Sequence, residues 1–349
     1  MAPPGPAASL PTALPPGWYH DPAVLVRERQ SIFAREWQLV ARASQLQAPG
    51  DYVAVDLAGW PVVVLAAADG GLRAFHNVCR HRAGPLVGDG AGSRRSLVCR
   101  YHGWAYDLEG RLVSARDFGE ATPDLDPADL SLYPIAVDTW RGLVFVRLDG
   151  AGDGPGLADS LAGFAAACAQ SPIESFDFHR RVVHELACNW KTYADNYLEG
   201  YHIPLVHPRL NREIDAHRYR VDVKDRWCVH SAPTRDGAVS AGLWLWHWPN
   251  LALNIYGDGM NVEHFLPLGP TRTRVVFDYF FRDTGEAAAD ANEETVRVSA
   301  ELMAEDRAIC EAVQRNLEAG VYAPGPLSPR HEGAVRRFQH LVRQAVGDI

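Results

Sequence analysis

Two pairs of metal-seeking side chains lie close together in the first third of the sequence, in CRHR at 79–82 and CRYH at 99–102. They give Cys79-x-His81, 17 intervening residues, then Cys99-x-x-His102. Two thiolates and two imidazoles can hold one zinc ion, or a two-iron cluster with sulfur ligands on one iron and nitrogen ligands on the other. Paired zinc ligands commonly keep about two to four residues between them, whereas one pair here keeps a single residue. A Cys-x-His loop can present its sulfur and its nitrogen to two different metal atoms, so the spacing favours the cluster over a zinc knuckle.

A second constellation lies about 100 residues further on, in NWKTYADNYLEGYHIPLVHP at 189–208. Its pattern is Glu199-x-x-His202-x-x-x-x-His207. Glu199 and His202 are one helical turn apart and share a face, and Pro204 disrupts regular helix so that His207 can swing back toward the same point. Two neutral imidazoles joined by one carboxylate make the facial triad that binds non-haem Fe(II) and leaves positions open for oxygen and substrate.

Beyond the ligands themselves, HNVCRHRAGPLV and LVCRYHGWAYDLEGRL resemble the Rieske [2Fe–2S] domain of ring-hydroxylating and related oxygenases, and the Glu-x-x-His-x4-His stretch resembles the iron site of the same family's α subunit. The resemblance runs from LPPGWYHDP to the terminal helix. It implies an α+β chain: an all-β Rieske [2Fe–2S] domain followed by a helix-grip (Bet v1/START-like) catalytic domain with an antiparallel sheet. The cluster ligands are then Cys79, His81, Cys99 and His102, and the mononuclear Fe(II) ligands are His202, His207 and an aspartate near the start of a C-terminal helix. Asp306, in MAEDRAICEAVQRNLEAG, fits that place, with Glu305 and Glu301 as neighbouring competitors. The family also implies that Glu199 bridges a Rieske histidine of one subunit to an iron-ligating histidine of the next, with Asp195 and Asn196 sharing its network. The family implies a head-to-tail homotrimer as well. It also implies a separate reductase, acting directly or through a ferredoxin, that delivers electrons from NAD(P)H.

Many ring dioxygenases carry aspartate where this chain has Glu199. Relatives that oxidise quaternary amines, such as the carnitine-type oxygenases, tolerate glutamate there, and the stretch NLALNIYGDGMNVEHFLPLGPTRTRVVFDYFF resembles the choline and betaine oxygenases. The expected reaction is therefore monooxygenation or oxidative demethylation of a small, often quaternary, amine; aromatic ring hydroxylation or cis-dihydroxylation is the alternative. A carrier that only transfers electrons through the cluster would need neither His202 and His207 nor Asp306. Trp244, Trp246 and Trp248 alternate along LWLWHW and so share one strand face, where they could cage a methylated cation or pack as core. Ordinary burial of aromatics favours core, and it favours the same for Trp104 and Tyr106 beside the cluster motif.

The elements that must position these residues follow from patterning. Residues 1–16 are rich in proline and alanine and read as a flexible arm, and 17–45 read as a helical segment on the catalytic domain, from Val24, Phe33, Trp37 and Val40. Short valine-rich runs between glycine turns predict the β-rich domain over 46–150, and the glycine-rich 149–157 marks a linker into the catalytic domain, 151–349. Helices are predicted at 158–170, 189–198 and 293–317. Six cysteines are too few for a disulfide scaffold, and Cys168, Cys188, Cys228 and Cys310 lack ligand spacing. With 34 basic against 43 acidic residues the net charge is −9, the wrong sign for a phosphate-backbone binder. Neither nucleic acid nor a membrane is expected as a partner, and the expected compartment is the cytoplasm.

Overall fold

The computed structural model describes residues 11–119, 127–150, 154–234 and 242–347. They fall into two compact units, one from Arg29 to Leu161 and one that combines the segment up to Glu28 with everything from Ala162 onward. Among the described residues no helix is long and apolar enough to cross a membrane.

Among the described residues the first unit contains ten strands: β1 (Gln38–Arg42), β2 (Asp51–Leu57), β3 (Trp60–Ala66), β4 (Leu72–His76), β5 (Gly90–Ser93), β6 (Leu97–Val98), β7 (Ala105–Tyr106), β8 (Leu112–Ser114), β9 (Pro134–Trp140) and β10 (Leu143–Arg147). Seven form a sheet in the order β1-β10-β9-β4-β3-β2-β5, and β6-β7-β8 form a small second sheet. The run PVVVLAA explains the arrangement. Val62, Val64 and Ala66 enter one apolar cluster, while Val63, Leu65 and Ala67 enter another that also contains Cys79, Cys99 and Trp104. A strand buried on both faces needs such an unbroken apolar run, and its second face is the bed on which both cysteine loops rest.

Two expectations need correction here. The segment 17–45 is helical in its first half, as a turn at Pro16–Tyr19, helix α1 (Pro22–Glu28) and a π-type turn at Arg29–Phe33, and again only in a short 3-10 turn at Ala43–Gln45. Gln38–Arg42 is strand β1, hydrogen-bonded to β10 inside the first unit. All five of its residues, Gln38 and Arg42 included, are buried, and a short run buried on every side carries no periodicity to separate strand from helix. The arm predicted over 1–16 lies partly outside the described residues, but its end is fixed in the second unit. Leu14 is fully buried, its N–H donates to Gln339 Oε1 at 2.9 Å, and Thr12 bridges Pro326. The linker at 149–157 runs into α2 (Leu157–Ala167), with 151–153 outside the described residues.

The second unit is a seven-stranded antiparallel sheet of β11 (Asp177–Leu186), β12 (Arg220–Val223), β13 (Trp227–Ser231), β14 (Gly242–His247), β15 (Leu251–Tyr256), β16 (Gly259–Gly269) and β17 (Arg272–Phe281), ordered β11-β17-β16-β15-β14-β13-β12. Its helices are α3 (Trp190–Tyr197), α4 (Ile203–Val206), α5 (Pro208–Glu213), the long α6 (Ala289–Glu318) and α7 (Gly333–Val346). The result is the α+β, helix-grip architecture expected. Registered pairing puts His230, Trp244, Asn254, Asn261 and Tyr279 in one row on one face, and Cys228, Trp246, Ala252, Glu263 and Phe277 in the next. Trp246 and Trp248 pack on Phe338 of α7 with ring centroids 5.8 and 5.7 Å away, so both are core.

Helix α3 is anchored from beneath by a buried ion pair. Lys191 Nζ lies 2.5 Å from Glu28 Oε1, both side chains are wholly inaccessible, and Trp190 Nε1 donates to Glu28 Oε2 at 2.8 Å. Burial lowers the Lys191 pKa even against that carboxylate. Removing one partner leaves an uncompensated buried charge. Glu28→Ala is therefore expected to cost about 3–5 kcal/mol in urea unfolding, and Glu28→Leu combined with Lys191→Met to recover most of it; a double variant as unstable as the single would refute the ion-pair account.

Candidate metal centres

The two cysteine loops of the first unit have the same backbone design. Cys79 N–H donates to Gly84 O and Cys99 N–H to Trp104 O, both at 2.9 Å; in return Ala83 N–H donates to Cys79 O at 3.0 Å and Gly103 N–H to Cys99 O at 2.9 Å. The fifth residue of each loop takes a left-handed conformation, Ala83 at φ +56° and Gly103 at φ +75°. Asn77 pins the first loop, accepting from the N–H of Leu86 at 3.0 Å and of Val87 at 3.1 Å.

This brings all four predicted ligands together. Cys79 and Cys99 are 3% and 2% exposed, and burial, with Cys79 alongside, pushes the Cys99 thiol up. The rings of His81 and His102 meet edge to face at 4.6 Å. His81 Nδ1 is buried without a hydrogen-bond partner, a costly state for a lone imidazole nitrogen and the expected one for a nitrogen that takes a metal. An added Cβ at Gly84 would lie 2.8 Å from Cys99 Sγ, so the space beside that sulfur tolerates no side chain. The donor set and its orphaned nitrogen fit a [2Fe–2S] group. Trp104 and Tyr106 are buried as expected, but both also touch ligands. Trp104 stacks on His81 at 4.8 Å, and the Tyr106 hydroxyl lies 3.4 Å from Cys79 Sγ.

In the second unit Asn189 caps α3, its side chain accepting from Lys191 N–H. The helix ends at Tyr197, so Glu199 and His202 lie in the turn beyond it. Pro204 does not break a helix as anticipated; it occupies the first turn of α4, where its missing N–H costs nothing. The break falls instead around Gly200, where any Cβ would sit 2.4 Å from the Tyr219 ring.

The outcome is a three-residue focus. His202 Nε2 and His207 Nε2 are 3.1 Å apart, and Asp306 Oδ1 lies 3.1 Å from His207 Nε2 and 3.7 Å from His202 Nε2. Asp306 reaches it because it follows buried Met303 by three residues and precedes buried Cys310 by four on α6, which puts all three on one helix face. One metal-binding atom from each of the three side chains lies within 4.8 Å of the others, a set suited to a divalent metal with open positions.

The remaining hydrogen bonds sort the neighbouring acids. Glu199 Oε1 lies 2.6 Å from His202 Nδ1, and Glu305 Oε2 lies 2.8 Å from His207 Nδ1. Each imidazole thus turns its outer nitrogen to a carboxylate and its inner nitrogen to the focus, the arrangement that fixes ring orientation and tautomer in metal sites. Glu305 is thereby an outer partner of His207, and Glu301 bonds Arg209 and Arg297 instead. Burial would lower the His207 pKa, yet the Asp306 and Glu305 carboxylates outweigh it and hold it above the ordinary value. Asn196 Nδ2 donates to Asp306 Oδ1 at 2.7 Å. Asp195, expected in the same network, turns away: it accepts from Tyr19 Oη at 2.6 Å and from Gln339 Nε2, and burial raises its carboxyl to about 7.

The focus opens into a cavity of about 170 Å³ against the aromatic face of the sheet. Tyr193, Tyr197, Trp244 and Tyr256 wall it, so Trp244, unlike its two strand neighbours, is a cavity residue. Sequence reasoning missed Glu263, His230 and Asn261, which also line it. Their one signal is alternate placement on valine- and aromatic-rich strands, which marks every core residue equally.

A Rieske-type domain joined to a helix-grip iron domain defines a terminal non-haem iron oxygenase. The Rieske [2Fe–2S] domain model matches residues 36–130, and the ring-hydroxylating α subunit catalytic domain model matches 173–237 and 229–348. Choline monooxygenase of Spinacia oleracea, a chloroplastic protein, is 30% identical over 95% of this chain and 78% of its own length. The carnitine monooxygenase oxygenase subunit of Escherichia coli (strain K12) is 28% identical over 96% and 94%. The quaternary ammonium Rieske monooxygenase CntA, solved with L-carnitine, superposes with a TM-score of 0.85 at 28% identity, covering 97% of this chain and 96% of its own. Naphthalene 1,2-dioxygenase shares the fold at 21% identity, with a TM-score of 0.79 over 96% and 92%. The chain belongs to the Rieske-type ring-hydroxylating oxygenase α-subunit family, whose members are oxidoreductases using a [2Fe–2S] cluster and a mononuclear non-haem iron.

Glu305→Ala is expected to weaken Fe(II) or Co(II) binding at the second centre by about 10–100-fold in metal titrations, with the [2Fe–2S] absorption spectrum unchanged. Unaltered metal affinity would remove Glu305 from that site.

Proposed function

We propose that this chain is the oxygenase component of a two- or three-component system that monooxygenates or oxidatively demethylates a small, preferably quaternary, amine. The observation that carries this reading is the aromatic wall of Tyr193, Tyr197, Trp244 and Tyr256 in the same cavity as His202, His207 and Asp306. Ring faces attract cations that carry methyl groups, which they can touch without asking for a hydrogen bond. The names of the choline and carnitine relatives support the same class.

In this reading Cys79 and Cys99 ligate one iron of the cluster and His81 and His102 the other, while His202, His207 and Asp306 hold Fe(II). When bound, the cluster relays single electrons and the Fe(II) supplies the oxygen chemistry. Overall, two electrons and two protons accompany O2, one oxygen atom entering the substrate C–H bond and the other leaving as water. The protein's own residues do the positioning. Glu199 and Glu305 aim the imidazoles, Asn196 holds Asp306 by one oxygen, and the apolar rings exclude water from the reacting carbon. Electrons come from NAD(P)H by way of a separate reductase. In a head-to-tail homotrimer, Glu199 would stand between the cluster held by Cys79, His81, Cys99 and His102 of one subunit and the iron held by His202, His207 and Asp306 of the next, an assembly suggested by the inter-subunit electron transfer described for the CntA structure. Asp195 supports this placement only indirectly, by fixing α3 against Tyr19 and Gln339. Six free cysteines suit a reducing compartment such as the cytoplasm.

Turnover with a reductase, NADH and either choline, carnitine or an arene tests the reading. Substrate-dependent oxygen uptake with an amine is expected, and activity confined to arenes would overturn it. His202→Ala should keep the reduced-cluster electron paramagnetic resonance signal and lose product formation; product formed at the wild-type rate would refute the iron assignment.

A further inference from the structure

The cavity beside the metal focus contains a carboxyl group that the metal site does not use. Glu263 on β16 is 2% exposed, lines the cavity and accepts a hydrogen bond from Tyr193 Oη at 2.6 Å. Its register partners are Ala252 and Phe277, so neither flanking strand supplies it with a cation. Arg and Lys are absent from the cavity lining among the described residues. His230, the lining histidine outside the metal focus, is held neutral by burial, its pKa lowered to about 4. A carboxyl group so placed is expensive: desolvation, with Asp306 adding to it, raises Glu263 to about 8 despite the Tyr193 bond. A carboxyl group so buried, with no cation beside it, keeps its proton and becomes a carboxylate only when a cation arrives to pair with it.

We infer that Glu263 is the counter-charge for the ammonium head of the substrate, and that the site selects cations lacking a carboxylate over zwitterionic betaines. This deepens the amine reading and rests on it. The rings of Tyr193, Tyr197, Trp244 and Tyr256 would enclose the methyl groups while Glu263, releasing its proton to solvent as the cation enters, supplies the negative charge, a combination that attracts more strongly than rings alone in a desolvated pocket. The same arithmetic works against a zwitterion. Its carboxylate would enter a cavity lined by Glu199, Glu263 and Asp306 with no arginine or lysine to receive it.

Calorimetric titration of the full-length holoprotein under argon, with no reductase present, tests this without turnover. The probes are choline, its uncharged tert-butyl counterpart 3,3-dimethylbutan-1-ol, and glycine betaine. Choline is expected to bind at least about tenfold more tightly than either of the others, and Glu263→Gln, which keeps an oxygen for Tyr193, to lose about tenfold for choline while leaving the neutral alcohol unchanged. Choline and the alcohol binding wild type equally would overturn the inference whether or not the variant folds. So would choline binding that Glu263→Gln leaves unaltered, or betaine binding as tightly as choline; in those cases the amine reading stands. If no amine binds while an arene does, the amine reading itself fails and this inference with it.

Discussion

The catalytic unit is organised around one electrostatic requirement: two imidazole nitrogens and a carboxylate oxygen must point at the same place from three separate stretches of chain. Left alone, His202 and His207 would rotate apart or turn their nitrogens to water. They are held because each outer nitrogen is tied to a carboxylate, Glu199 in one case and Glu305 in the other, and because Asn196 restrains Asp306. Those restraints depend in turn on α3 and α6 being fixed to each other. Asn189 N–H donates to Gln314 Oε1 at 2.9 Å, Thr192 Oγ1 donates to the same oxygen at 3.2 Å, and Lys191 is locked to Glu28 beneath. A chain of buried polar bonds thus runs from the first helix to the metal focus. Each bond is strong because its surroundings are dry, and each would be costly to leave unmade.

Dryness also explains the cavity. The row of registered side chains from His230 to Tyr279 puts polar and aromatic groups on the sheet face that β-propensity alone would fill with valine and isoleucine. Burial there raises the Tyr193 and Tyr197 hydroxyls well above their ordinary range and lifts Glu263, so the phenols remain neutral donors. A low-dielectric wall magnifies whatever charge enters it. The wall beside the metal focus is therefore one that can discriminate by charge among the molecules that enter it.

The first unit meets a different demand with a repeated solution. Two turns of identical hydrogen bonding present two cysteines from a common apolar bed, and the histidine sits two residues after the cysteine in one turn and three in the other. Backbone bonds set the sulfurs, while ring stacking on Trp104 sets His81.

How much of this was legible in the chain follows from the range of each interaction. That Cys79, His81, Cys99 and His102 gather in one place, and His202 and His207 in another, could be read directly, because these side chains are placed by turns of a few residues and spacing encodes a turn. Asp306 was legible as a candidate only. Three acids share one stretch of α6, and what separates them is which one meets His207 Nε2, which meets Nδ1 and which meets Arg209, all contacts with residues about 100 positions away. Asp195 and Asn196 are adjacent in sequence yet face different surroundings, because a helix turns by roughly 100° per residue. Strand β1 was misread because a wholly buried run has no period, and Leu14 because a proline-rich arm gives no sign of the pocket that receives that leucine. Glu263 was invisible for a related reason: alternation along a strand says which face a residue occupies, but only the closed sheet and the helices against it decide whether that face is core or cavity.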